Sequence, residues 1–325
     1  MHDFTLMVLE GAFGSGVAAS VDLLRTAAAL APRAGAPAPR WRACSVTGGP
    51  VLLQSGMRIE TTRLPSRPRN DRSTWVIPGL GLNTEQDVRA SALRADVRAL
   101  LPLISRHVAA GGKVAAACSS VFLLEFAGLL VDKRVTTTWW LAPLLQRMNP
   151  ACRVDAAQMV CADGEIVSAG AAFAQTDLML HLLRAACGPR LVELLGRFLL
   201  VDARNTQASY VVPEVLATGD ELVARIVRRV EQSFPDVPSV AALARDFCVS
   251  ERTLARHVQR ATGQGTHALL QSVRLQRARM LLEQSRMPVE QVAAAVGYGD
   301  PTALRRLMRR HAGASPSQFR PALTA

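Results

Sequence analysis

The sequence predicts two domains of different class: an α/β domain with a mostly parallel sheet covered by helices on both faces, then an all-α domain with two helix-turn-helix motifs. Up to about residue 200, short apolar strand-like segments alternate with helical ones, which is typical of a parallel sheet. After Pro213 no strand-like segment remains, and one helix-pair pattern occurs twice. We expect domains at 1–205 and 236–325, joined by a linker and a connecting helix at 206–235.

Five segments are predicted as strands of the first domain. Each is short and apolar, and a turn or a helical pattern follows it. They are FTLMVLE from residue 4, WRACSV from residue 41, TWVIPGL from residue 74, KVAAAC from residue 113 and RVTTTW from residue 134. Further on, Asp163 and Gly164 lie between two alternating segments and predict a β-hairpin.

Composition excludes several classes of protein. The chain of 325 residues is long enough for two hydrophobic cores, and none of its apolar segments is long enough to cross a membrane. We therefore expect a soluble, cytoplasmic protein with no membrane partner. The six cysteines form no C-x-x-C pair and no pattern with histidine, so neither a metal site nor a disulfide framework is expected, and no cofactor is predicted.

Positive charge is concentrated near the C-terminal end. Residues 241–325 hold 13 arginines and 5 acidic residues, a net +8 out of +12 for the whole chain. Such a field suits a polyanion, most simply double-stranded DNA. An arginine-rich solubilising surface explains the same charge. Charge alone therefore leaves both interpretations open.

The first copy of the helix pair lies at residues 239–263. Its first helix carries an i, i+3, i+4, i+7 apolar stripe that begins at Val240 and ends at Phe247. Ser250 is a suitable N-cap for a second helix, which buries Leu254 and Val258. Two short helices joined by a tight turn form a helix-turn-helix unit. The open side of the second helix is formed by Arg252, Thr253, Arg256, Gln259 and Arg260.

The second copy repeats this pattern from Val289 to Val296, and Asp300 before Pro301 predicts another helix start. Arg256 and Arg306 both follow a leucine by two residues, so both copies present a guanidinium group from an equivalent face. Such arginines bind guanine edges or phosphates. A helix of about 19 residues lies between the copies and would be roughly 28 Å long. It would hold the second helices of the two copies about one DNA turn apart.

Residues 236–320 resemble the DNA-binding domain of AraC/XylS-family transcription regulators. The resemblance rests on LARDFCVSERTLARHVQRATG, RLQRARMLLEQS and AAAVGYGDPTALRRLMRRHAGASPSQFR. It implies that both recognition helices bind double-stranded DNA. The expected DNA-binding residues are Arg252, Thr253, Arg256, Arg260, Thr302, Arg305, Arg306 and Arg309. Ala255, Thr266 and Pro301 depart from the family pattern, so we expect fewer base contacts and more dependence on phosphates and DNA shape.

The first 200 residues resemble the ThiJ/PfpI branch of the class I glutamine amidotransferase-like fold, which has a flavodoxin-like sheet. The segments that carry the resemblance are VIPGLG, AAACSSVFLLEFAGLL, RVTTTW and VSAGAAFAQTDLMLHLL. The fusion with an AraC-type domain resembles the GlxA group of regulators. In enzymes of this fold, a strand-to-helix turn presents a cysteine whose thiolate the helix N-terminus favours. Cys118 occupies that place.

The groups that would support catalysis are altered around Cys118. Ser119 stands where catalytic branches carry histidine, Gly16 stands where they offer an acid, and Gly79 with Leu80 replaces a glycine pair. The helix dipole alone would stabilise a Cys118 thiolate by less than about 1 kcal/mol, which is too little for an efficient hydrolase. We therefore predict no enzyme and no catalytic residue, with Cys118 as a vestigial candidate. Two alternatives remain: a Cys118-dependent amidohydrolase or hydratase fused to a DNA-binding tail, and a redox sensor.

We expect the first domain to sense a small-molecule effector, with nitrogenous metabolites as one candidate class, in the crevice at the carboxyl ends of the parallel strands. Glu10 would meet a cationic group and Trp139 a methylated ammonium group. Cys118 and Trp139 also fit a plain packing role. The expected ligand-binding residues are Glu10, Gly79, Leu80, Cys118, Ser119, Thr138, Trp139 and Phe173.

Two apolar helices, 177–187 and 191–201, are expected to pack a partner subunit as well as their own sheet. A homodimer is the resulting prediction, although packing within one chain explains these helices equally well. A buried structural role is expected for His181. We expect the signal to pass through the helix at 221–234, and RNA polymerase is a further candidate partner.

Overall fold

The computed structural model describes residues 3–64, 71–207, 210–212, 215, 220–312 and 315–320. The chain divides into two compact units, Met1–Gln207 and Ala208–Ala325. Pro213 and Gly219, which mark the expected linker, lie outside the described residues. Within the described part, no helix combines the length and the apolar character needed to span a membrane.

The N-terminal unit is built on one large sheet. Its strands, with those of a small second sheet, are β1 (Phe4–Met7), β2 (Trp41–Ser45), β3 (Gly49–Leu52), β4 (Arg58–Arg63), β5 (Thr74–Ile77), β6 (Val114–Ala117), β7 (Arg134–Val135), β8 (Arg153–Val154), β9 (Val160–Asp163) and β10 (Ile166–Ala169). The eight-stranded sheet has the order β3-β4-β2-β1-β5-β6-β10-β9. Its inner neighbours pair in parallel, and only the edge pairs β3–β4 and β9–β10 are antiparallel. The predicted mostly parallel sheet is confirmed.

The central strands are buried along their whole length and are mostly apolar. Every residue of β1, β6 and β10 is buried. Parallel strands covered by helices on both faces are typically buried and mostly apolar in this way. The hairpin predicted at Asp163 and Gly164 is confirmed, since it joins β9 to β10 and Gly164 has a φ of 63°.

Two parts of the sheet differ from the sequence prediction. The segment RVTTTW contributes only β7, in the small sheet, because its threonines are bonded elsewhere: Ser168 Oγ accepts from the Thr136 N–H, and Thr137 Oγ1 donates to the Cys118 carbonyl. The edge hairpin of β3 and β4 is absent from the predicted strands. Most of its residues are exposed or half-buried, so it has no apolar segment to identify it.

Helices pack on this sheet in two groups. They are α1 (Gly14–Ala34), α2 (Glu85–Ser91), α3 (Ala95–Ala109), α4 (Val121–Phe126), α5 (Ala142–Met148), α6 (Ala174–Cys187) and α7 (Pro189–Leu199). Helices α1, α6 and α7 contact one another, and α3 contacts α4. The expectation for His181 on α6 is wrong, since its side chain is exposed. On α7, Leu191 and Leu195 are buried, whereas Phe198 and the following Leu200 are exposed.

Every regular element described in the C-terminal unit is a helix. The helices are α8 (Glu221–Glu231), α9 (Val240–Asp246), α10 (Glu251–Thr262), α11 (Thr266–Gln284), α12 (Val289–Ala295), α13 (Pro301–Ala312) and a short 3-10 helix, Pro316–Phe319. They form two cores, one around α8, α9 and α10 and one around α12 and α13. Helix α11 joins them, because Leu269 and Val273 lie in the first core and Ala278 and Leu282 in the second.

Candidate functional sites

Helices α9 and α10 form the first helix-turn-helix motif. The turn between them contains Cys248, whose φ is 55°. Helix α10 begins at the predicted N-cap: Ser250 Oγ accepts a hydrogen bond from the Thr253 N–H at 3.1 Å. Leu254 and Val258 are buried in the first core. The opposite side of α10 therefore faces solvent.

The predicted DNA-binding residues of α10 lie on or beside this solvent side. Arg252, Arg256 and Arg260 are exposed, and Thr253 is half-buried beside the N-cap. No carboxylate of the described residues pairs with Arg252 or Arg256, whereas Arg260 Nη2 donates to Asp220 Oδ2 at 3.0 Å. Two guanidinium groups near the start of α10 are thus available to an incoming anion.

Helices α12 and α13 form the second motif. Gly297, in the turn, has the left-handed φ of 79° that suits glycine. Asp300 Oδ1 accepts from the Thr302 N–H at 2.7 Å, which caps the start of α13. Val296 and Leu304 are buried in the second core. The helix start predicted at Asp300 and Pro301 agrees with this geometry.

The exposed side of α13 carries the second set of predicted DNA-binding residues. Thr302, Arg305, Arg306 and Arg309 are all exposed. Arg305 Nη2 donates to Glu290 Oε1, on α12, at 2.9 Å. Arg306 forms no ion pair in the described part of the chain, although its charge helps to lower the pKa of Asp300. Arg256 and Arg306 therefore share an environment: each is exposed, and each follows a buried leucine by two residues.

Asp220 is a functional candidate that sequence reasoning missed. Its carboxylate caps α8 by accepting from the Leu222 and Val223 N–H groups, and it also accepts from His257 Nδ1 at 2.7 Å and from Arg260 on α10. Burial alone would raise the pKa of Asp220, but the hydrogen bonds from His257 and Arg260 outweigh burial and lower it. One carboxylate thus joins the connecting helix to the first recognition helix. An aspartate before ELV is an N-cap signal that could have identified it.

Cys118 lies at the turn from β6 into α4. It has a φ of 58°, an uncommon backbone conformation for a residue other than glycine, and such conformations occur often at functional sites. Its N–H donates to the Gly170 carbonyl at 2.8 Å. A Cβ added at Gly79 would lie 2.7 Å from Cys118 Cβ, so this close approach requires glycine. Gly79 and Cys118, both predicted site residues, are therefore in contact.

The chemistry of the Cys118 thiol is set by burial. The residue is 3% exposed. Burial raises the pKa of the thiol to about 11, and hydrogen bonds from Ser119 oppose this only in part. Ser119 Oγ also accepts from the Leu82 N–H at 3.2 Å, so the residue that replaces the histidine of the catalytic branches is a structural partner of the loop.

The other predicted ligand-binding residues differ in their environment. Leu80, Ser119, Thr138 and Trp139 are buried, and Thr138 Oγ1 has no hydrogen-bond partner among the described residues. Glu10 and Phe173 are exposed. The Phe173 ring meets the Phe13 ring edge-to-face at 6.2 Å, and the Phe13 N–H donates to the Gly79 carbonyl. Phe173 is thereby brought towards the Cys118 turn.

Glu10 lies in a different local environment. Its carbonyl oxygen accepts from Arg94 Nη2 at 2.6 Å and its N–H donates to Asp96 Oδ2, which anchors this loop at the start of α3. Trp139 packs edge-to-face on Trp140, with ring centroids 5.1 Å apart. The packing role left open for Trp139 agrees with this burial.

Gln207 is a second residue that sequence reasoning missed. It is buried, and it is the last residue of the N-terminal unit. Its Nε2 donates to Thr136 Oγ1 and to the Thr137 carbonyl, and its Oε1 accepts from the Ala171 N–H. Thr137 Oγ1 in turn donates to the Cys118 carbonyl at 2.8 Å. Hydrogen bonds thus connect the Cys118 turn with the point where the chain leaves the unit.

Comparisons with known proteins agree with these features. Residues 243–322 match the family model described as helix-turn-helix domain. The HTH-type transcriptional regulator CdhR of Pseudomonas aeruginosa is 26% identical over 99% of this chain and 92% of its own length. The HTH-type transcriptional regulator GlxA of Rhizobium meliloti is 26% identical over 84% of this chain and 82% of its own length.

Solved structures identify the fold of the N-terminal unit. A ThiJ/PfpI family protein from Pseudomonas syringae matches with a TM-score of 0.52 and 15% identity, over 70% of this chain and 87% of its own. An AraC family transcriptional regulator from Pseudomonas putida matches with a TM-score of 0.51 and 24% identity, over 61% of this chain and all of its own. The chain is therefore similar to HTH-type transcriptional regulators over nearly its whole length, with a helix-turn-helix domain at residues 243–322 and an N-terminal unit that has a ThiJ/PfpI-like fold.

Proposed function

We propose that this regulator binds promoter DNA through both helix-turn-helix motifs and that a small metabolite, bound by the N-terminal unit, controls this binding. The observation that carries the proposal is the matched exposure of Arg256 and Arg306 on two recognition helices whose opposite sides are buried. The predicted DNA-binding residues keep their roles within it. A cytoplasmic location is part of the proposal, because a promoter-binding protein works where that DNA is.

The spacing of the two motifs supports simultaneous binding. Helix α11 has 19 residues and contributes to both cores. At 1.5 Å per residue it is about 28 Å long, close to one turn of DNA. Two motifs connected by one continuous helix enter successive major grooves with little loss of freedom on binding.

A degenerate catalytic site is the second part of the proposal. The nucleophile of a cysteine enzyme is the thiolate. With a pKa of about 11, roughly one Cys118 in ten thousand is ionised at pH 7. Within the described residues, no imidazole or carboxylate hydrogen-bonds the Cys118 thiol. A buried, protonated thiol is suited to packing or to ligand contact and not to turnover.

A homodimer is the third part of the proposal. Helix α7 buries Leu191 and Leu195 inside its own unit, yet Phe198 and Leu200 remain exposed at its end. Exposed large apolar side chains that lie together favour association. RNA polymerase, the remaining partner, would be contacted only on the promoter.

DNA binding is tested by fluorescence anisotropy with the full-length chain and a duplex that it selects from genomic fragments. We expect Arg256→Ala and Arg306→Ala each to weaken binding by about tenfold or more, since an arginine contact to a base is worth about 1–3 kcal/mol. The control is Arg33→Ala, which removes an exposed arginine from α1. Unchanged affinity and salt dependence in both recognition-helix variants would overturn the proposal.

A further inference from the structure

A cavity of about 370 Å³ lies within the N-terminal unit, apart from the Cys118 turn. Its walls come from α6, from the start of β9 and from residues 203–205. None of the predicted ligand-binding residues lines it. Sites for small molecules typically have volumes of about 300–1,000 Å³, so this cavity is large enough for a compact metabolite.

The charge of the cavity is positive. Asp177 is neutralised by Arg204, whose Nη2 donates to Asp177 Oδ2 at 2.6 Å and whose N–H donates to Oδ1. Arg184, one further turn along α6, lines the same cavity and has no carboxylate partner in the described part of the chain. One guanidinium group thus remains uncompensated beside an internally neutral pair.

Three neutral polar groups complete the lining. The side-chain amides of Gln158 and Asn205 and the imidazole of His181 make no hydrogen bond with the described residues. Although the side chain is exposed, partial desolvation by its surroundings, and then the positive charge of Arg184, lower the pKa of His181, which favours the neutral ring at neutral pH. A neutral imidazole donates from one nitrogen and accepts at the other. Leu180 and Val160 provide an apolar wall.

We propose that this cavity is the effector site and that its ligand is a small carboxylate. The Arg184 guanidinium pairs with the carboxylate, and the groups at Asn205 and His181 hydrogen-bond the remaining polar atoms. The Asp177–Arg204 ion pair keeps the aspartate from repelling the ligand. This inference rests on the proposed function and deepens it by naming the effector class and a place for it that differs from the Cys118 crevice.

The position of the cavity explains how occupancy reaches the DNA-binding unit. Asn205 belongs to the last few residues before Gln207, where the N-terminal unit ends. This segment is held by Arg204 on Asp177 and by a β-bridge between Thr206 and Gln158. A ligand that contacts Asn205 and Arg184 at once ties the segment to α6 and favours one arrangement of the chain that follows.

The test uses isothermal titration calorimetry of the full-length chain with acetate, butyrate and succinate. Acetamide, butyramide and succinamide are the matched neutral probes. We expect at least one carboxylate to bind and its amide not to bind. We expect Arg184→Gln to lower the affinity for that carboxylate by about tenfold, because a charge-assisted hydrogen bond is lost. We expect Arg184→Glu to abolish binding. Arg190→Gln, an exposed arginine on α7 outside the cavity, should bind as the wild type does.

Each outcome of this experiment decides the proposal. Binding of a carboxylate with the stated loss in the Arg184 variants supports it. The proposal is overturned if no carboxylate binds at millimolar concentration, or if the Arg184 variants bind as tightly as Arg190→Gln. Binding of a DNA duplex by the same preparation distinguishes failure of this inference from failure of the proposed DNA-binding function. If the chain binds DNA but binds no carboxylate, the cavity site is overturned and the DNA-binding function is not.

Discussion

The side chain of Gln207 donates a hydrogen bond from Nε2 to the carbonyl oxygen of Thr137 at 2.8 Å, 70 residues earlier in the chain. Both groups are buried, and Thr137 is itself bonded to the Cys118 turn. The final residue of the N-terminal unit is therefore fixed to the carboxyl end of the parallel sheet. Any rearrangement of this region on ligand binding has a direct route to the start of the linker.

The first prediction concerns this contact. Gln207→Ala leaves the Ala171 N–H and the Thr137 carbonyl without their partner, so we expect the free energy of unfolding to fall by about 1–3 kcal/mol. Urea denaturation measures it, with Gln86→Ala, at an exposed position on α2, as the control. Gly170→Ala is an independent test, since a Cβ there would clash with the Gln207 amide. Equal stability of Gln207→Ala and Gln86→Ala would contradict the prediction.

The second prediction concerns Cys118. Because its thiol is buried and has a pKa of about 11, we expect iodoacetamide to label the native chain at Cys248, which is exposed, long before Cys118. Peptide mass spectrometry follows both sites over time, and a urea-unfolded sample shows that both can react. Rapid labelling of Cys118 in the native chain would disagree with its burial and restore the redox-sensor hypothesis.

The enzyme hypothesis has its own decisive variant. We expect Cys118→Ala to bind DNA as the wild type does, and we expect neither chain to hydrolyse amides or nitriles above background. Reversed-phase chromatography of the reaction mixtures measures turnover. A Cys118-dependent product from any nitrogenous compound would establish the amidohydrolase or hydratase alternative.

The third prediction concerns Asp220. Asp220→Asn weakens the bonds from His257 and Arg260, and we expect it to lower the free energy of unfolding by about 1–3 kcal/mol. Asp246→Asn, which removes an exposed ion pair with Arg229, should cost less than about 1 kcal/mol. Thermal and urea unfolding of both variants give the comparison. A smaller loss for Asp220→Asn than for Asp246→Asn would reject the role of Asp220.

The pH dependence of this effect follows from the lowered pKa of Asp220. A carboxyl group whose pKa is lower in the folded chain stabilises it above the unfolded pKa, here near the ordinary 3.8, and loses that contribution as the pH falls through the folded value. The stability difference between wild type and Asp220→Asn should therefore be constant at neutral pH and shrink only below about pH 4. A difference that disappears well above pH 4 would contradict this role of the Asp220 carboxylate.

The sequence predicts the parts of this molecule that depend on local pattern. Strands β1 and β6 are short, mostly apolar segments, and the caps at Ser250 and Asp300 are short-range signals, so both could be anticipated. The contacts of Gln207 and Asp220 join residues 70 and 37 positions apart, which no local pattern encodes. His181 shows the opposite failure. Its apolar neighbours suggested burial, yet the ring lies on the one side of α6 that borders a polar cavity.

The final prediction concerns the ion pair between Arg305 and Glu290, which join α13 to α12 at 2.9 Å. Both side chains are about half exposed, so the pair adds less than about 1 kcal/mol to stability. Glu290→Gln releases Arg305 and removes an acid beside the proposed DNA surface. We expect unchanged thermal stability and DNA binding tighter by about two- to fivefold at low salt, with a smaller gain at high salt, measured by fluorescence anisotropy. The matched control is Glu283→Gln, which breaks an ion pair with Arg279 on α11 and changes the net charge equally. An equal gain in both variants would trace the effect to net charge alone and contradict a DNA-contacting role for Arg305.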